Sequence, residues 1–331
     1  GAQAPGHGPK ATPDANGHMT AYIVRRLLAT LPVMAIVAVC VFLLLHLSPG
    51  DPAAVIAGDN ATPANIEMIR KRLGLDEPLW KQFLLWVGQL LRGDLGQSMF
   101  WNTPVLALVG QRYEPTLSLA VTTLFVAISL AVTLGVLAAW RVATIVDRAV
   151  MGFAVLGFSV PVFVVGYLLI YVFAIQLKWL PVQGYTPIEE GILPWLRNLV
   201  LPSLALGLAY VALIARITRA TMLDVLAEDY IRTARAKGVA TRTMLLRHAL
   251  KNAAVPIVTV IGIGVALLIG GVVITETVFN IPGIGRLVVD AIARRDYPII
   301  QGVIVLFSGI YVLVNLAVDL SYTFFDPRIR Y

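Results

Sequence analysis

Charged residues and cysteines are both scarce in this chain of 331 residues. Only 14% of its residues are charged and 58% are hydrophobic, whereas soluble domains average about 25% charged residues. This composition excludes an ordinary soluble protein, because the chain could not bury so much apolar surface in a core of its own. The single cysteine, Cys40, excludes an intramolecular disulfide and argues against redox chemistry.

Motifs that carry chemistry are also missing. The chain contains no G-x-x-x-x-G-K-[ST] loop, so it cannot bind ATP in the manner of that motif. No nucleophile–base pair and no carboxylate pair stands out, so we predict no catalytic residues. His46 and His248 are isolated from cysteine and from other histidines. That isolation favours interfacial histidines over ligands, and we expect no metal site.

Long uncharged runs dominate what is present. A helix of about 20 residues crosses the ~30 Å hydrocarbon layer of a bilayer. In lipid every backbone N–H and C=O must bond internally, so such runs should be helices. The sequence therefore predicts an all-α integral membrane protein with six transmembrane helices. The uncharged runs are Leu27–Leu47, Pro115–Trp140, Ala149–Ile175, Asn198–Ala215 (continuing towards Met222), Ala253–Thr275 and Tyr297–Val318.

Basic residues are distributed unevenly between the connecting segments. With the amino terminus inside, the inner segments hold Arg25, Arg26, Arg141, Arg148, Arg216, Arg219, Arg232, Arg235, Lys237, Arg242, Arg247, Lys251, Arg328 and Arg330. The short outer loops hold only Lys178, Arg197, Arg286, Arg294 and Arg295. The net charge of +7 is thus better explained by membrane orientation than by nucleic-acid binding. Both termini are predicted to be cytoplasmic, in a multi-pass protein of the bacterial inner membrane.

The amino-terminal third divides into three parts. Residues 1–18 are rich in Gly, Pro and Ala, which predicts a disordered tail or an added extension before Met19. Residues 19–47 form the first predicted transmembrane helix, too long an apolar run for a signal peptide. Residues 48–114 form an extracytoplasmic segment in which "PLWKQFLLWVGQLL" predicts an interfacial helix. Its tryptophans, Trp80 and Trp86, together with Trp101, are interpreted as interface anchors.

A charged segment, residues 223–252, interrupts the second half. Acidic residues come early and basic residues late, which complements the macrodipole of a helix from Asp224 to Lys237. Gly238 fits the left-handed position that ends such a helix. An apolar stripe is predicted on this helix from the four-residue spacing of Leu226, Tyr230 and Ala234.

A second short helix is predicted to begin near Thr241 or Thr243, either of which can cap it. Three apolar residues should face inward: Met244, Leu245 and Ala249. Three basic residues should face outward: Arg242, Arg247 and Lys251. Pro256 marks the entry to the next span. This pattern fits a rigid helix–turn–helix for docking, and it fits equally a solvated basic loop that sets topology or meets anionic lipid.

The stretch "YIRTARAKGVATRTMLLRHALKNAAVP" resembles the cytoplasmic coupling loop of ABC importer permeases. Gly238 takes the position of the hallmark glycine, Pro256 that of the terminal proline, and Arg232-Thr233-Ala234 stand where many relatives have Glu-Ala-Ala. Further matches point to the inner-membrane permeases of the dipeptide, oligopeptide and nickel branch. These are "HLSPGDP" (46–52), "RLGLDEPLWKQF" (72–83), "GDLGQS" (93–98), "NIPGIGRLVVDAI" (280–292), "RDYPIIQG" (295–302) and "DPRIRY" (326–331).

The resemblance implies a type I ABC importer permease fold and a division of labour. A second homologous permease, two ABC ATPases and an extracytoplasmic substrate-binding protein are the expected partners, besides membrane lipid. ATP and Mg would be bound by the ATPases, with no cofactor in this chain and no nucleic acid. Tyr230 and Ile231 are expected to fill a groove on the ATPase, with basic residues as its charged rim. The expected coupling residues are Ala227, Glu228, Asp229, Tyr230, Ile231, Arg232, Thr233, Ala234, Arg235, Lys237, Gly238 and Arg242.

Pathway residues are predicted from proline and charge within the spans. Pro161 should bend the third span, so that Ser159, Phe163 or freed carbonyls face a polar path; a kinked packing helix is an equal alternative. Glu276 is predicted at the outer mouth. Asn280 and Pro282 begin a turn that either meets the binding protein, shapes an outer gate or simply connects two spans.

The leading hypothesis is therefore a permease subunit that forms half of the pathway of an ATP-driven importer of dipeptides and oligopeptides. One alternative keeps the machinery and changes the cargo to nickel, glutathione or an opine-like solute. Another is an ion-driven carrier or channel, although no inverted repeat or midplane charge is evident. An intramembrane enzyme is the weakest alternative, because it would need convergent titratable groups.

Overall fold

The computed structural model describes residues 15–47, 52–57, 62–72 and 74–325, and within these ranges every regular element is helical apart from one isolated bridge between Gln97 and Pro104. The α-helices are α1 (Ala15–Leu47), α2 (Pro52–Ala57), α3 (Pro63–Arg72), α4 (Leu79–Leu91), α5 (Val105–Gly110), α6 (Tyr113–Trp140), α7 (Ile145–Ser159), α8 (Val162–Leu169), α9 (Ile192–Leu226), α10 (Asp229–Ala236), α11 (Thr241–Thr243), α12 (Leu250–Asn252), α13 (Ala254–Val278), α14 (Ile284–Arg294) and α15 (Tyr297–Phe325). Two π-helical segments, Ile170–Gln176 and Met244–Ala249, and a 3₁₀ turn, Ile188–Glu190, complete them.

The predicted spans reappear as helices. Among the described residues α6, α9 and α13, and α15 over Tyr297–Ser321, are long and apolar enough to cross a membrane. The pair α7 and α8 passes the same test as one broken span. α1 contributes a shorter apolar stretch, Leu28–Leu44. It begins at Ala15 and so includes residues 15–18 of the predicted tail or extension, while residues 1–14 lie outside the described part.

The third span is broken rather than merely kinked. α7 ends at Ser159, α8 begins at Val162, and the two axes differ by 107°. Pro161 lies at the junction as the residue before α8, where its ring and missing N–H prevent the α7 ladder from continuing. The predicted bend at Pro161 is therefore confirmed, and it is sharper than a helix kink.

α6 and α9 form the closest helix pair of the bundle. The buried face of α6 carries small residues every fourth position, Thr123, Ala127, Ala131 and Gly135. A Cβ placed on Gly135 would lie 2.6 Å from Thr218 Cβ and 2.8 Å from the Ala215 carbonyl oxygen of α9. Small residues let two backbones approach in a membrane, where helix association depends on packing and not on expulsion of water. α9, which also contacts α7, α8 and α13, is thus the central helix.

Helix α4 packs on the carboxyl-terminal end of α1. Phe83 and Trp86 of α4 lie with ring centroids 5.3 and 5.9 Å from that of Phe42. Gln82 Oε1 and the His46 ring nitrogen Nε2 are 3.1 Å apart. The helix predicted in this segment is therefore present, and one of its faces is fixed to the first span.

A buried carboxylate joins the outer segment to the base of α15. Asp296 accepts hydrogen bonds from Ser98 Oγ at 2.5 Å and from the backbone N–H groups of Met99 and Phe100, each at 3.2 Å. The guanidinium of Arg294 lies 3.9 Å from the centroid of the Phe100 ring. Residues 98–101 and the end of α14 therefore form one compact outer structure.

Candidate functional site

The charged segment forms a short projecting unit, which we call the inner knob (residues 227–252). Its first helix is α10, and the predicted helix start at Asp224 is wrong. Asp224 belongs to α9, which continues to Leu226 because its core face extends through the fully buried Met222. The chain then turns at Ala227, and Glu228 adopts an extended conformation before α10.

Gly238 ends α10 in the predicted manner. Its φ angle is +76°, in the left-handed region that favours glycine. The Gly238 N–H donates to the Arg235 carbonyl at 3.0 Å, and the Val239 N–H donates to the Ala234 carbonyl at 3.2 Å. This is the Schellman arrangement, which satisfies the last carbonyls of a helix.

Ile231 anchors the knob to the rest of the chain. It is 1% exposed and belongs to the main hydrophobic core, together with Met244, Leu245 and Ala249. The prediction that Ile231 fills a groove on a partner is therefore wrong. The predicted apolar stripe through Tyr230 is also wrong, because Tyr230 is 43% exposed and its hydroxyl accepts a 2.7 Å hydrogen bond from Asn252 Nδ2.

The second part of the knob begins at Thr241, as predicted, but most of it is π-helical. No threonine caps it, because the residue before α11 is Ala240 and it makes no side-chain cap bond. The predicted sidedness is confirmed. The inward residues are Met244, Leu245 and Ala249, and the exposed basic residues are Arg242, Arg247 and Lys251.

The exposed surface of the inner knob is polar and mostly basic. Arg232 Nη1 lies 3.3 Å from Asp229 Oδ1 across one turn of α10, with both side chains largely exposed. Thr233 Oγ1 donates back to the Asp229 carbonyl at 3.0 Å. Such an exposed ion pair contributes little stability. The other predicted coupling residues exposed on this surface are Ala227, Glu228, Arg235, Lys237, Gly238 and Arg242, while Ala234 is half-buried.

An ion pair that the sequence did not reveal joins α7 to α9. Asp147, 4% exposed in the first turn of α7, accepts from Arg219 Nε at 2.5 Å and from Arg219 Nη2 at 2.8 Å. The backbone N–H of Ala143 donates to the same carboxylate at 3.0 Å. From the sequence, Arg219 is placed only among the basic residues of the inner segments. In the sequence the pair was indicated only by one acidic residue, Asp147, which lies among basic residues just before the third predicted span.

The pathway candidates of the third span lie on exposed surface of this chain. Ser159 Oγ donates to the Val155 carbonyl at 2.8 Å, and Phe163 is exposed just beyond the break. Pro161 is itself exposed. All three therefore lie at the break, on a surface that another subunit or lipid can cover.

Glu276 does not line an open path within this chain, which corrects the prediction of an outer-mouth position. It is 0% exposed. Its carboxyl group accepts from Thr116 Oγ1 at 2.6 Å and from the Arg286 N–H at 2.9 Å. The Thr116 hydroxyl in turn accepts from the Ile284 N–H at 2.8 Å. Glu276 therefore holds the start of α14 against α6 and α13, where a carboxylate meets the positive end of a helix.

The predicted turn after α13 is confirmed. Asn280 has a φ of +54° and accepts from the Arg286 guanidinium. Pro282 is exposed at the turn, and the Gly283 N–H donates to the Ile281 carbonyl at 2.9 Å. These residues form an outer hairpin with α14.

A second outer network ties the loop before α9 to α6. Tyr185 donates to Glu114 Oε1 at 2.9 Å, and the Ile188 N–H donates to the same oxygen at 3.1 Å. Ser118 Oγ lies 3.0 Å from the Tyr185 hydroxyl and accepts from Trp195 Nε1 at 3.2 Å. Burial raises the pKa of Tyr185 above its ordinary value, so the phenol keeps its proton for the Glu114 bond.

Two family models together match residues 19–331. "Binding-protein-dependent transport system inner membrane component" matches residues 131–331, and the corresponding amino-terminal model, "Binding-prot-dependent transport system membrane comp, N-term", matches residues 19–131. The chain belongs to this family. It is therefore an inner-membrane permease component of a binding-protein-dependent transport system.

Curated relatives cover the permease almost end to end. The "Probable peptide ABC transporter permease protein y4tP" of Sinorhizobium fredii is 61% identical over 313 residues, 95% of this chain and 100% of the relative. The "Glutathione transport system permease protein GsiC" of Escherichia coli (strain K12) is 46% identical over 314 residues, again 95% and 100%. The resemblance to ABC importer permeases is confirmed.

A solved structure shares the fold of the permease. A chain of the inward-facing MetNI methionine ABC transporter superposes with a TM-score of 0.54 at 17% identity, covering 67% of this chain and 97% of that one. At this identity the likeness shows the fold alone, which is that of an ABC importer permease. The predicted all-α fold of a type I ABC importer permease is therefore confirmed.

Proposed function

We propose that this permease forms half of the translocation pathway of an ATP-driven importer of dipeptides and oligopeptides, which a substrate-binding protein delivers. The relative at 61% identity, named a probable peptide permease, supports this cargo. The relative at 46% identity, named a glutathione permease, makes that tripeptide the second candidate. Nickel and opine-like solutes remain alternatives that use the same machinery.

The inner knob is the proposed receiver of force from an ABC ATPase. The observation that carries this proposal is that α10 is anchored by a buried residue while its basic residues are exposed. Ile231 fixes α10 to the core and the Schellman turn at Gly238 closes its end, while Arg232, Arg235 and Lys237 are exposed. A rigid projection transmits a displacement that a flexible loop would absorb.

In this proposal ATP hydrolysis is carried out by partner subunits. ATP and Mg²⁺ are bound and used by two ATPase subunits, whereas this chain holds no cofactor and catalyses no reaction. A second homologous permease completes the pathway. Its contact surface includes the exposed residues at the break, Ser159, Pro161 and Phe163, and the outer hairpin at Asn280 and Pro282 forms part of the outer gate.

The remaining proposals concern placement in the membrane. Residues 19–47 cross it, residues 48–114 lie outside the cytoplasm, residues 115–331 form the core, and both termini are cytoplasmic. α4 lies in the outer interface. Its Trp80, Leu84 and Leu85 are exposed on the side away from the α1 contact, as expected of a helix half-immersed in lipid.

Co-purification tests the proposed function. The permease is expressed with the ATPase and permease genes encoded beside it and is isolated in mild detergent by a tag on this chain. The ATPases should remain bound, and the double variant Arg235→Glu with Lys237→Glu should release them. Lys71→Glu, a matched charge reversal on the outer helix α3, should not. An isolated chain that carries cargo without an ATPase would refute the proposal.

Cargo is decided by a separate measurement. The substrate-binding protein encoded beside this gene is titrated calorimetrically with a dipeptide, with a tetrapeptide and with glutathione. Binding of the first two supports the peptide assignment, and binding of glutathione alone replaces it.

A further inference from the structure

The ion pair of Asp147 and Arg219 joins the start of α7 to α9, near the end of α9 that leads into the inner knob. Asp147 belongs to the first turn of α7, and Arg219 lies ten residues before Asp229 at the start of α10. Between Arg219 and Leu226 the chain remains a continuous α9 helix. A movement of the knob therefore reaches Arg219 through less than three turns of helix and one short break.

The pair is stiff because both partners are held at two points. Two nearly parallel hydrogen bonds, of 2.5 and 2.8 Å, join the guanidinium fork to the carboxylate. The N–H of Ala143, a residue with a φ of +62°, adds a third bond to the carboxylate. Such bidentate contacts fix orientation as well as distance. The inner turn between α6 and α7 is thereby fixed to α9.

α7 packs on α9 along the buried face formed by Val150, Ala154 and Gly157. Near its carboxyl-terminal end a Cβ on Gly157 would lie 3.2 Å from the Leu208 carbonyl of α9, and the helix ends two residues later, at Ser159. Beyond the break, a Cβ on Gly166 of α8 would lie 3.2 Å from side-chain atoms of Val278 and Phe279. α8 thus packs against the end of α13 as well as against α9, and the break at Pro161 means that no continuous helix joins α7 to α8.

We propose that Asp147 and Arg219 are positioning residues that carry movement of the inner knob into α7 and so change the bend of the third span. The inference rests on the proposed function, because the movement originates in the ATPases. A buried pair of this kind adds little net stability compared with apolar residues. Its advantage here is geometric, since apolar side chains in the same place could slide past each other.

Distance measurements on the assembled complex test this inference. Spin labels are placed at Leu156 of α7 and Ile263 of α13, both exposed, in a Cys40→Ser background. Pulsed electron spectroscopy then compares the nucleotide-free complex in nanodiscs with the complex trapped by ATP and vanadate. Trapping should shift the distance between the two labels in the parent complex, because α7 follows the knob while α13 holds α8.

Three variants assign that shift to the pair. Asp147→Asn and Arg219→Lys should each abolish the shift on trapping, while the ATPases remain bound and hydrolyse ATP. The ratio of ATP hydrolysis with and without the binding protein should fall by about 5- to 150-fold, the usual range of coupling between sites. Glu67→Gln, which removes a carboxylate from the exposed pair with Lys71, should leave both readouts unchanged.

The outcomes separate the two proposals. A parent complex without bound ATPases would overturn the proposed function. A full shift in Asp147→Asn, or no shift in the parent complex with ATPases bound, would overturn the positioning role alone. If Asp147→Asn fails to assemble, Arg219→Lys, which keeps the charge but loses the fork, decides by the same two readouts.

Discussion

At the scale of single residues, Gly238 shows how backbone freedom and function meet. A Cβ on Gly238 would have no atom within 4 Å, so space does not require glycine there. Its φ of +76° does, because a β-branched side chain resists the left-handed region. The requirement for glycine is therefore conformational, and it concerns the end of α10 alone.

We expect Gly238→Val to uncouple transport from ATP hydrolysis. The left-handed conformation costs a non-glycine residue about 1–2 kcal/mol, enough to shift the population of the intact turn about 5- to 30-fold. Peptide uptake and ATP hydrolysis in proteoliposomes provide the measurement. Gly238→Asn, which tolerates positive φ, serves as the control and should keep most of the uptake. Normal uptake in the valine variant would contradict this explanation of the turn.

At position 283 glycine is required because a larger side chain has no space, and not because of the backbone conformation. A Cβ at this position would fall on the carboxyl group of Glu276, which is buried and joined to α6 and α14. We expect Gly283→Ala to displace that carboxyl group and to weaken at least one of its hydrogen bonds, at about 2 kcal/mol for a bond to a charged group. Thermal unfolding of the purified complex should show a lower midpoint. Gly270→Ala is the control on α13, because no atom lies within 4 Å of a Cβ there.

At the scale of helices, the contact between α6 and α9 depends on the small residues of α6. Gly135→Val should separate the two helices, because a Cβ at Gly135 already approaches Thr218 to 2.6 Å. Overpacking of this kind costs about 1–3 kcal/mol. The matched control is Gly152→Val in α7, where no atom lies within 4 Å. A thermal midpoint lowered equally by both changes would show that helix propensity, and not the contact, is responsible.

The exposed face of α4 provides a test of its proposed place in the membrane interface. Trp80 is 67% exposed, whereas Trp86 packs against Phe42. In variants that keep one of the six tryptophans, lipids brominated near the headgroup should quench Trp80 fluorescence strongly and Trp86 fluorescence weakly. Trp80 unaffected by brominated lipid would place this face against protein or water instead.

Helix positions could be predicted from the sequence where one physical rule decided them. Absence of charge over a sufficient length indicated α6, α9, α13 and α15, and Pro161 indicated the break. The 107° angle could not be predicted, because it depends on what Gly157 and Gly166 contact across the bundle. The start of α10 was missed for a similar reason, since burial of Met222 extends α9 past the first acidic residue.

Candidate site residues were predictable when their role was local. Gly238 follows from chain conformation, and the exposed basic residues follow from their helical spacing. Ile231 and the pair of Asp147 and Arg219 act through contacts distant in sequence, the latter across 72 residues. A single sequence does not show which distant residues meet, so these contacts required the fold.

At the scale of the whole molecule, the predicted orientation in the membrane depends on which side the basic residues of the knob occupy. An inverted protein would place the knob, with Arg232, Arg235 and Lys237, outside a membrane whose interior is negative. Each transferred charge costs about 2.3 kcal/mol per 100 mV, in addition to the loss of the positive-inside preference. The knob and the loop before α9 lie at opposite ends of α9, so one assignment fixes the other.

We therefore expect a membrane-impermeant maleimide to label Glu189→Cys in intact spheroplasts and to label Lys251→Cys only after permeabilisation. Both side chains are exposed, so accessibility depends on the side of the membrane and not on burial. The experiment uses the Cys40→Ser background, because Cys40 is the only cysteine. Labelling in the opposite order would place the knob outside the cytoplasm. No cytoplasmic ATPase could then reach it, because the intervening α9 helix spans the bilayer.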